Sequence, residues 1–288
     1  MEADMEKQEL IQMLNNDMAE EHGSIIRYLV HSYLEGEDTP IGAKLLSRSR
    51  EEMWHMHWLG MIVGDLGGVP NLTPAKYPFD STNRKTIFKS YVDYEVKLVS
   101  HYQAEAEKVD DAHIKRVLMR EGWESDTHAE KFQKMHDKLS PAEAEGLPGE
   151  ENELPAQFVE TLQQLVEVKY NQMLQSLHNA WTFQKSGLSA WHIMDFSYTK
   201  MKQLAHLAEE VAENGVEPRF KNKGAILHAD IGKALQQALE SVRDTRERHL
   251  ALKNDPEAQK HGGLMGNMDL SINQETYEAE EIESWLKK

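Results

Sequence analysis

The sequence predicts an all-α fold, an antiparallel four-helix bundle duplicated in tandem, and three observations carry that expectation. Apolar residues recur at helical spacing through most of the 288 residues. In the first half, two short turns flank one long, proline-containing connection. After a segment rich in Pro, Gly and Glu, a similar order of helices and breaks returns.

The first helix is expected over about Lys7–Glu35, where Leu14, Met18, Ile25, Tyr28 and Leu29 form one apolar stripe. The loop Gly36–Thr39 ends in Thr39-Pro40, a capping hydroxyl followed by proline at the first helical position. A second helix, about Pro40–Leu66, turns Leu45, Leu59, Ile62 and Val63 inward and closes at Gly67-Gly68. Residues 69–83 hold Pro70, Pro74 and Pro78 without a helical period and read as an extended crossover. The third and fourth helices are expected over about Thr86–Val109 and Asp110–Leu139, with an abrupt reversal near Asp110-Asp111. Two short turns around one long connection is the chain path of a ferritin-like bundle.

Residues 1–140 therefore read as one domain, 141–155 as a linker and 156–288 as a second, degenerate bundle. Helices are expected there over about Ala156–Lys185, Leu188–Asn214 and Asp230–Lys253. A Gly-rich loop at Gly262–Gly266 and a short last helix at Gln274–Lys287 follow. Superposing the halves puts Leu14 on Leu162, Ile25–Ile26 on Met173–Leu174 and Tyr33 on Trp181, as an internal duplication would.

Composition narrows the chemistry. With 40% hydrophobic and 28% charged residues there is material for a real core. A formal net charge of −17 disfavours nucleic acid and anionic membrane surfaces as partners. The absence of cysteine excludes disulfides, thiolate-bound zinc, iron–sulfur clusters and cysteine nucleophiles, so a metal site must use carboxylate and imidazole. The N-terminal MEADMEKQEL lacks a basic start and an apolar run, and no stretch approaches roughly 18 apolar residues, so a cytoplasmic protein is expected.

Those ligand types fall on the inward faces. Glu21 shares the stripe of Leu14, Met18, Ile25 and Tyr28, and Glu52 and His55 form an i,i+3 pair continued by Leu59, Ile62 and Val63. Glu95 falls beside Leu98, Val99 and Tyr102, and the fourth helix carries Val117, Glu121, Glu124, His128, Phe132 and Met135 at heptad-like spacing. Burying several carboxylates together is costly unless cations neutralise them, so a dinuclear metal site is the economical reading. Oxygen and imidazole donors without sulfur suit iron or manganese, with zinc a third option. Tyr28 and Tyr102 lie within one or two turns, placed to bond a ligand carboxylate, to carry an oxidising equivalent, or simply to pack.

The segments LNNDMAEEHGSIIRYLVHSYL, EEMWHMHWLGMIVGDLGGVP and YEVKLVSHYQAEAEK resemble the first three helices of bacterioferritin and related rubrerythrin-type proteins. The resemblance covers about residues 8–140 and implies Glu21 and Glu95 as terminal ligands, Glu52 as a bridge and His55 as a terminal imidazole. On the fourth helix His128 matches, but Ser125 stands where the family has a second bridging glutamate. Either Glu124 swings in as the substitute, or the site uses three Glu and two His. The latter ligand set resembles manganese catalase. Met53 stands where bacterioferritin places a haem ligand, but packing is the simpler role and haem is not expected.

These features imply a di-iron oxidase, peroxide reductase or ferroxidase-like protein using O2 or H2O2. Without a four-cysteine segment it would need an external electron donor. Manganese catalase-like disproportionation, substrate oxygenation, and non-enzymatic metal binding or iron storage are the alternatives, and a homodimer is left open. The second half has lost the site on this reading, with Lys169 opposite Glu21 and about Thr199 and Lys202 opposite Glu52 and His55. Glu240 is matched to Glu95, Glu278 or Glu281 to the fourth-helix ligands, and His206, one turn after Lys202, is a residual candidate for metal binding. Lys169 and Lys202 are expected to neutralise the surviving glutamates.

Overall fold

The structure, a computed structural model, describes residues 6–147 and 154–287, without the side chains of 188–190. Among the described residues there are nine α-helices and no strand. The chain divides into two compact units, Met1–Gly149 and Glu150–Lys288. None of the described helices is long and apolar enough to cross a membrane.

In the first unit the helices are α1 (Lys7–Glu35), α2 (Pro40–Asp65), α3 (Arg84–Ala106) and α4 (Ala112–Lys138), followed by the short α5 (Pro141–Glu145). Their starts are chemically specified. The Thr39 hydroxyl accepts from the Gly42 amide, Asn83 and Thr86 form a reciprocal capping box, and Asp111 accepts from the amides of His113 and Ile114. Gly36 ends α1 with φ 80°, a conformation that favours glycine. Part of the segment read as a linker is folded: α5 is capped by Ser140 and Glu143, and Gly146 accepts from the Arg84 amide. Residues 148–153 of that segment lie outside the described residues.

The crossover after α2 runs back along α1. Asn71 bonds Asn15, the Ala75 amide donates to Ala19, and Tyr77 reaches Tyr28. It delivers Arg84, the first residue of α3, to Glu35 at the end of α1, with Nε 2.6 Å from the carboxylate. Thus α3 runs antiparallel to α1, which brings Glu95 and Tyr102 level with Tyr28 and Glu21. The core beside this level is aromatic: Tyr28, Phe88, Tyr91 and Phe132 are fully buried, with edge contacts such as Tyr28–Tyr91 at 4.9 Å.

The second unit repeats the plan with α6 (Ala156–Thr182), α7 (Leu188–Glu213), α8 (Ile231–Lys253) and α9 (Gly262–Leu286). Gln163 exchanges bonds with the Arg219 backbone as Asn15 does with the first crossover. The last helix is longer than expected. The Gly262–Gly266 stretch is helical, because Leu264, Met268 and Ser271 extend a buried stripe and packing outweighs poor glycine propensity.

Buried positions also correct the match between halves. Lys169 (α6) does face Glu275, but Lys202 is exposed, and Lys200 is the buried lysine, bonded to Glu278. Aligning the buried faces puts Lys200 on Glu52, Gln203 on His55, Val242 on Glu95, Glu275 on Ser125 and Glu278 on His128. Glu240 is exposed, Thr199, His206 and Glu281 only half-buried, so these four do not take the places expected of them. His249 and Gln203 complete the network, bonding Glu275 and Lys169. Cationic and anionic side chains here compensate each other directly.

Candidate metal centre

In the first unit, α1–α4 deliver five side chains to one buried level: Glu21, Glu52, His55, Glu95 and His128, none more than 2% exposed. Glu52 is central. One of its oxygens lies 2.9 Å from His55 Nδ1 and the other 2.7 Å from His128 Nδ1. Glu21 approaches His55 Nδ1 at 3.4 Å, and Glu95 approaches His128 Nδ1 at 3.7 Å. Two groups result, Glu21–Glu52–His55 and Glu52–Glu95–His128, each with ligand atoms within 4.8 Å of one another. They share Glu52, and the imidazole rings are nearly parallel, 6.2 Å apart.

The outer edges of the imidazoles fix their orientation. His55 Nε2 donates to Glu124 at 2.8 Å, and His128 Nε2 donates to Glu51 at 2.6 Å. An ionised carboxylate only accepts, so each Nε2 carries the proton and each Nδ1 is turned to the interior. Arg120 and Arg48 in turn hold Glu124 and Glu51 at 2.6 Å. The bond from His55, with help from Arg120, draws Glu124 down to about 2.

Glu124 does not stand between the two imidazoles in this structure. It sits on the far side of His55, partly exposed, because it projects from α4 toward the outer side of α2. Seven residues make almost two full helical turns, so Glu121 falls closest to the line of His128. Glu121 is fully buried and neither of its oxygens has a hydrogen-bond partner. Its charged surroundings include His55, Glu21, Asp17 and Glu52. The heptad spacing on α4 was the available signal for it. Ser125 is buried at this level as well.

Tyr28 donates to Glu95 at 2.5 Å and Tyr102 donates to Glu21. Each phenol occupies one oxygen of its carboxylate. The other oxygens, Glu21 Oε2 and Glu95 Oε2, lack hydrogen-bond partners, as do Glu52 Oε1 and both Nδ1 atoms. Orphaned buried polar atoms converging from four helices are the mark of a site built for cations, and the donor set fits two of them.

Electrostatics agree with that fit. Burial, together with neighbouring Glu52, pushes Glu21 up to about 7, and burial also raises Glu95 and Glu121. Burial opposes ionisation of Glu52 as well, but two flanking imidazoliums hold it well below the usual range. Carboxylates led by Glu52 overcome burial and hold His128 up to about 12, with His55 also raised. In the metal-free state, imidazolium protons thus supply positive charge while protons on the raised carboxyl groups cancel negative charge.

A pH dependence follows. A group whose folded value is raised gives stability that is complete below its unfolded value, near 4.5 for Glu21, and lost as pH rises through the folded value, about 7. Metal displaces those protons and binds better as pH rises. The melting temperature of chelator-treated protein should fall between about pH 5 and 8. The gap to manganese-loaded protein should widen over the same range, and a constant or narrowing gap in scanning calorimetry would count against the assignment.

The Nε2 contacts make a second prediction. Glu124→Gln and Glu51→Gln should each weaken metal binding about 10–100-fold while leaving the number of ions unchanged, by titration against a competing chelator. Loss of no affinity in either variant would show that the outer carboxylates do not support the imidazoles.

Compared with protein-family models, curated proteins and solved structures, the chain gives no significant match. The functional reading therefore rests on the site itself.

Proposed function

We propose that the first unit is a ferritin-like dinuclear carboxylate redox protein that binds two iron ions and reduces O2 or H2O2 with electrons from an external donor. The observation that carries this reading is Glu52, placed between two inward-facing imidazoles, each held from behind by a carboxylate. One ion would take Glu21, Glu52 and His55, and the other Glu52, Glu95 and His128. A bound pair of iron ions would supply two electrons to peroxide, one from each ion, and would be re-reduced by the external donor.

The protein's own groups would govern access, charge and protons. Near-complete burial of the ligands keeps bulk water away, which strengthens every charge interaction in the site. Tyr28 and Tyr102 hold one oxygen of each terminal carboxylate and leave the other directed to metal. Burial raises both phenols well above their usual range, so they remain donors. Tyr28 also packs against Tyr77 and Tyr91, which makes it the better placed of the two to pass an oxidising equivalent outward. Glu121, free of hydrogen bonds, would supply a further carboxylate on the Glu21 side where Ser125 offers none.

A manganese catalase-like reaction is the second reading, favoured by the lone fourth-helix histidine and the three-Glu, two-His set. Anaerobic loading with Fe(II) or Mn(II), followed by H2O2 under stopped flow, separates them. A peroxide reductase oxidises its iron and stops without reductant. A catalase releases O2 from peroxide continuously in the manganese form. Failure of both metal forms to react would overturn the redox reading.

A further inference from the structure

We propose that Asp17, His101 and Glu105 form a separate mononuclear divalent-cation site, which passes metal to the Glu21 side of the dinuclear centre through Glu121. The site stands on its own geometry, while the transfer role rests on the dinuclear reading above.

Antiparallel packing of α1 and α3 builds it. His101 and Glu105 are one turn apart on α3, and His101 Nε2 lies 2.8 Å from Asp17 Oδ1 and 3.5 Å from Glu105 Oε2. One ligand atom from each residue lies within 4.8 Å of the others. Asp17 is fully buried and neither its Oδ2 nor Glu105 Oε2 meets a fixed donor; the two carboxyl groups can bond each other only by sharing a proton, which a cation would displace. A buried carboxylate oxygen left without a donor, facing a second carboxylate and an imidazole, is satisfied by a cation. Two oxygens and one nitrogen suit Fe(II), Mn(II) or Zn(II), with water completing the shell.

Position suggests the role. The His101 side chain is 37% exposed, so an ion can be captured from solvent, whereas Asp17 lies inside. Asp17 is one turn before Glu21 on α1, and Glu105 is one turn beyond Tyr102 on α3. Glu121, buried on α4 with two unpartnered oxygens, is near enough to feel the charges of both Asp17 and Glu21. A cation leaving the outer site therefore meets carboxylate oxygen along the way to the inner one, without crossing an apolar layer unsolvated.

The test uses the full chain, stripped by chelator and dialysed against Mn(II), with bound metal counted by mass spectrometry. Wild type should hold three ions and His101→Ala two, with Glu105→Gln as a second, more conservative variant behaving like His101→Ala. Glu52→Ala should lose the dinuclear pair and keep one ion. A wild type that binds two ions, both lost in Glu52→Ala, would overturn the outer site and leave the dinuclear reading intact. One ion, lost in His101→Ala, would do the reverse for the dinuclear reading and with it the transfer role. In stopped-flow filling with Mn(II), His101→Ala and Glu121→Gln should each slow occupation of the dinuclear pair about tenfold. Unchanged filling in both variants would overturn the transfer role.

Discussion

Glu52→Ala is expected to empty both positions of the dinuclear centre. Glu52 is the one carboxylate shared by both ligand groups, and its oxygens contact both Nδ1 atoms. Removing it deprives each ion of an anionic ligand and leaves two buried imidazoles facing one another across an uncompensated gap. Losing one partner from a buried charge network costs about 3–5 kcal/mol, so both ions should bind at least about 100-fold more weakly. Glu21→Ala and Glu95→Ala should each weaken principally one ion. Metal counting and competition titration on the three variants check this. Retention of both ions by Glu52→Ala, with helix content intact by circular dichroism, would show that Glu52 is not the bridge.

The second large effect lies in the other unit, where buried lysines stand among the buried carboxylates. Lys200, 3% exposed, is bonded to Glu278, also 3% exposed, across α7 and α9. Lys200→Ala leaves the Glu278 carboxylate buried without its hydrogen-bonded cation, with only the more distant Lys169 charge to offset it, and should destabilise this unit by about 3–5 kcal/mol. Replacing both partners, Lys200→Met with Glu278→Leu, removes the desolvation cost along with the attraction, and should restore stability to wild type or better. Hydrogen exchange of the α7 and α9 amides reads the effect locally. Equal loss in the single and double variants would mean that the lysine contributes by its shape and packing.

The sequence made the helices legible because their limits are written in local chemistry. Thr39-Pro40, the Gly36 turn and the Gly67-Gly68 stop mark α1 and α2 almost to the residue. The same logic failed at α9, where glycine at Gly262 and Gly263 signals a loop but tertiary packing of Leu264 and Met268 draws the helix back. Inward placement of Glu21, Glu52, His55, Glu95 and His128 was readable as periodicity, since each sits on an apolar stripe.

Finer assignments needed geometry that no stripe contains. Glu124 and Glu121 lie on either side of the His128 line, and only the packing of α2 against α4 decides which enters the core and which holds His55 from outside. The repeat was legible, but an error of one residue in its register puts Thr199 and Lys202, rather than Lys200 and Gln203, opposite Glu52 and His55. The Asp17–His101–Glu105 group was missed because its members come from two helices, and neither helix alone carries a ligand motif. Single-chain periodicity shows which residues point inward. It does not show which of them meet.

On the proposed function, Glu52 bridges two metal ions. The most direct test is anomalous diffraction from crystals of the iron- or manganese-loaded chain. Two peaks roughly 3.5–4 Å apart, flanking the Glu52 carboxylate, with His55 Nδ1 on one and His128 Nδ1 on the other, are predicted. A single peak between the imidazoles, or metal bound only away from Glu52, would contradict it.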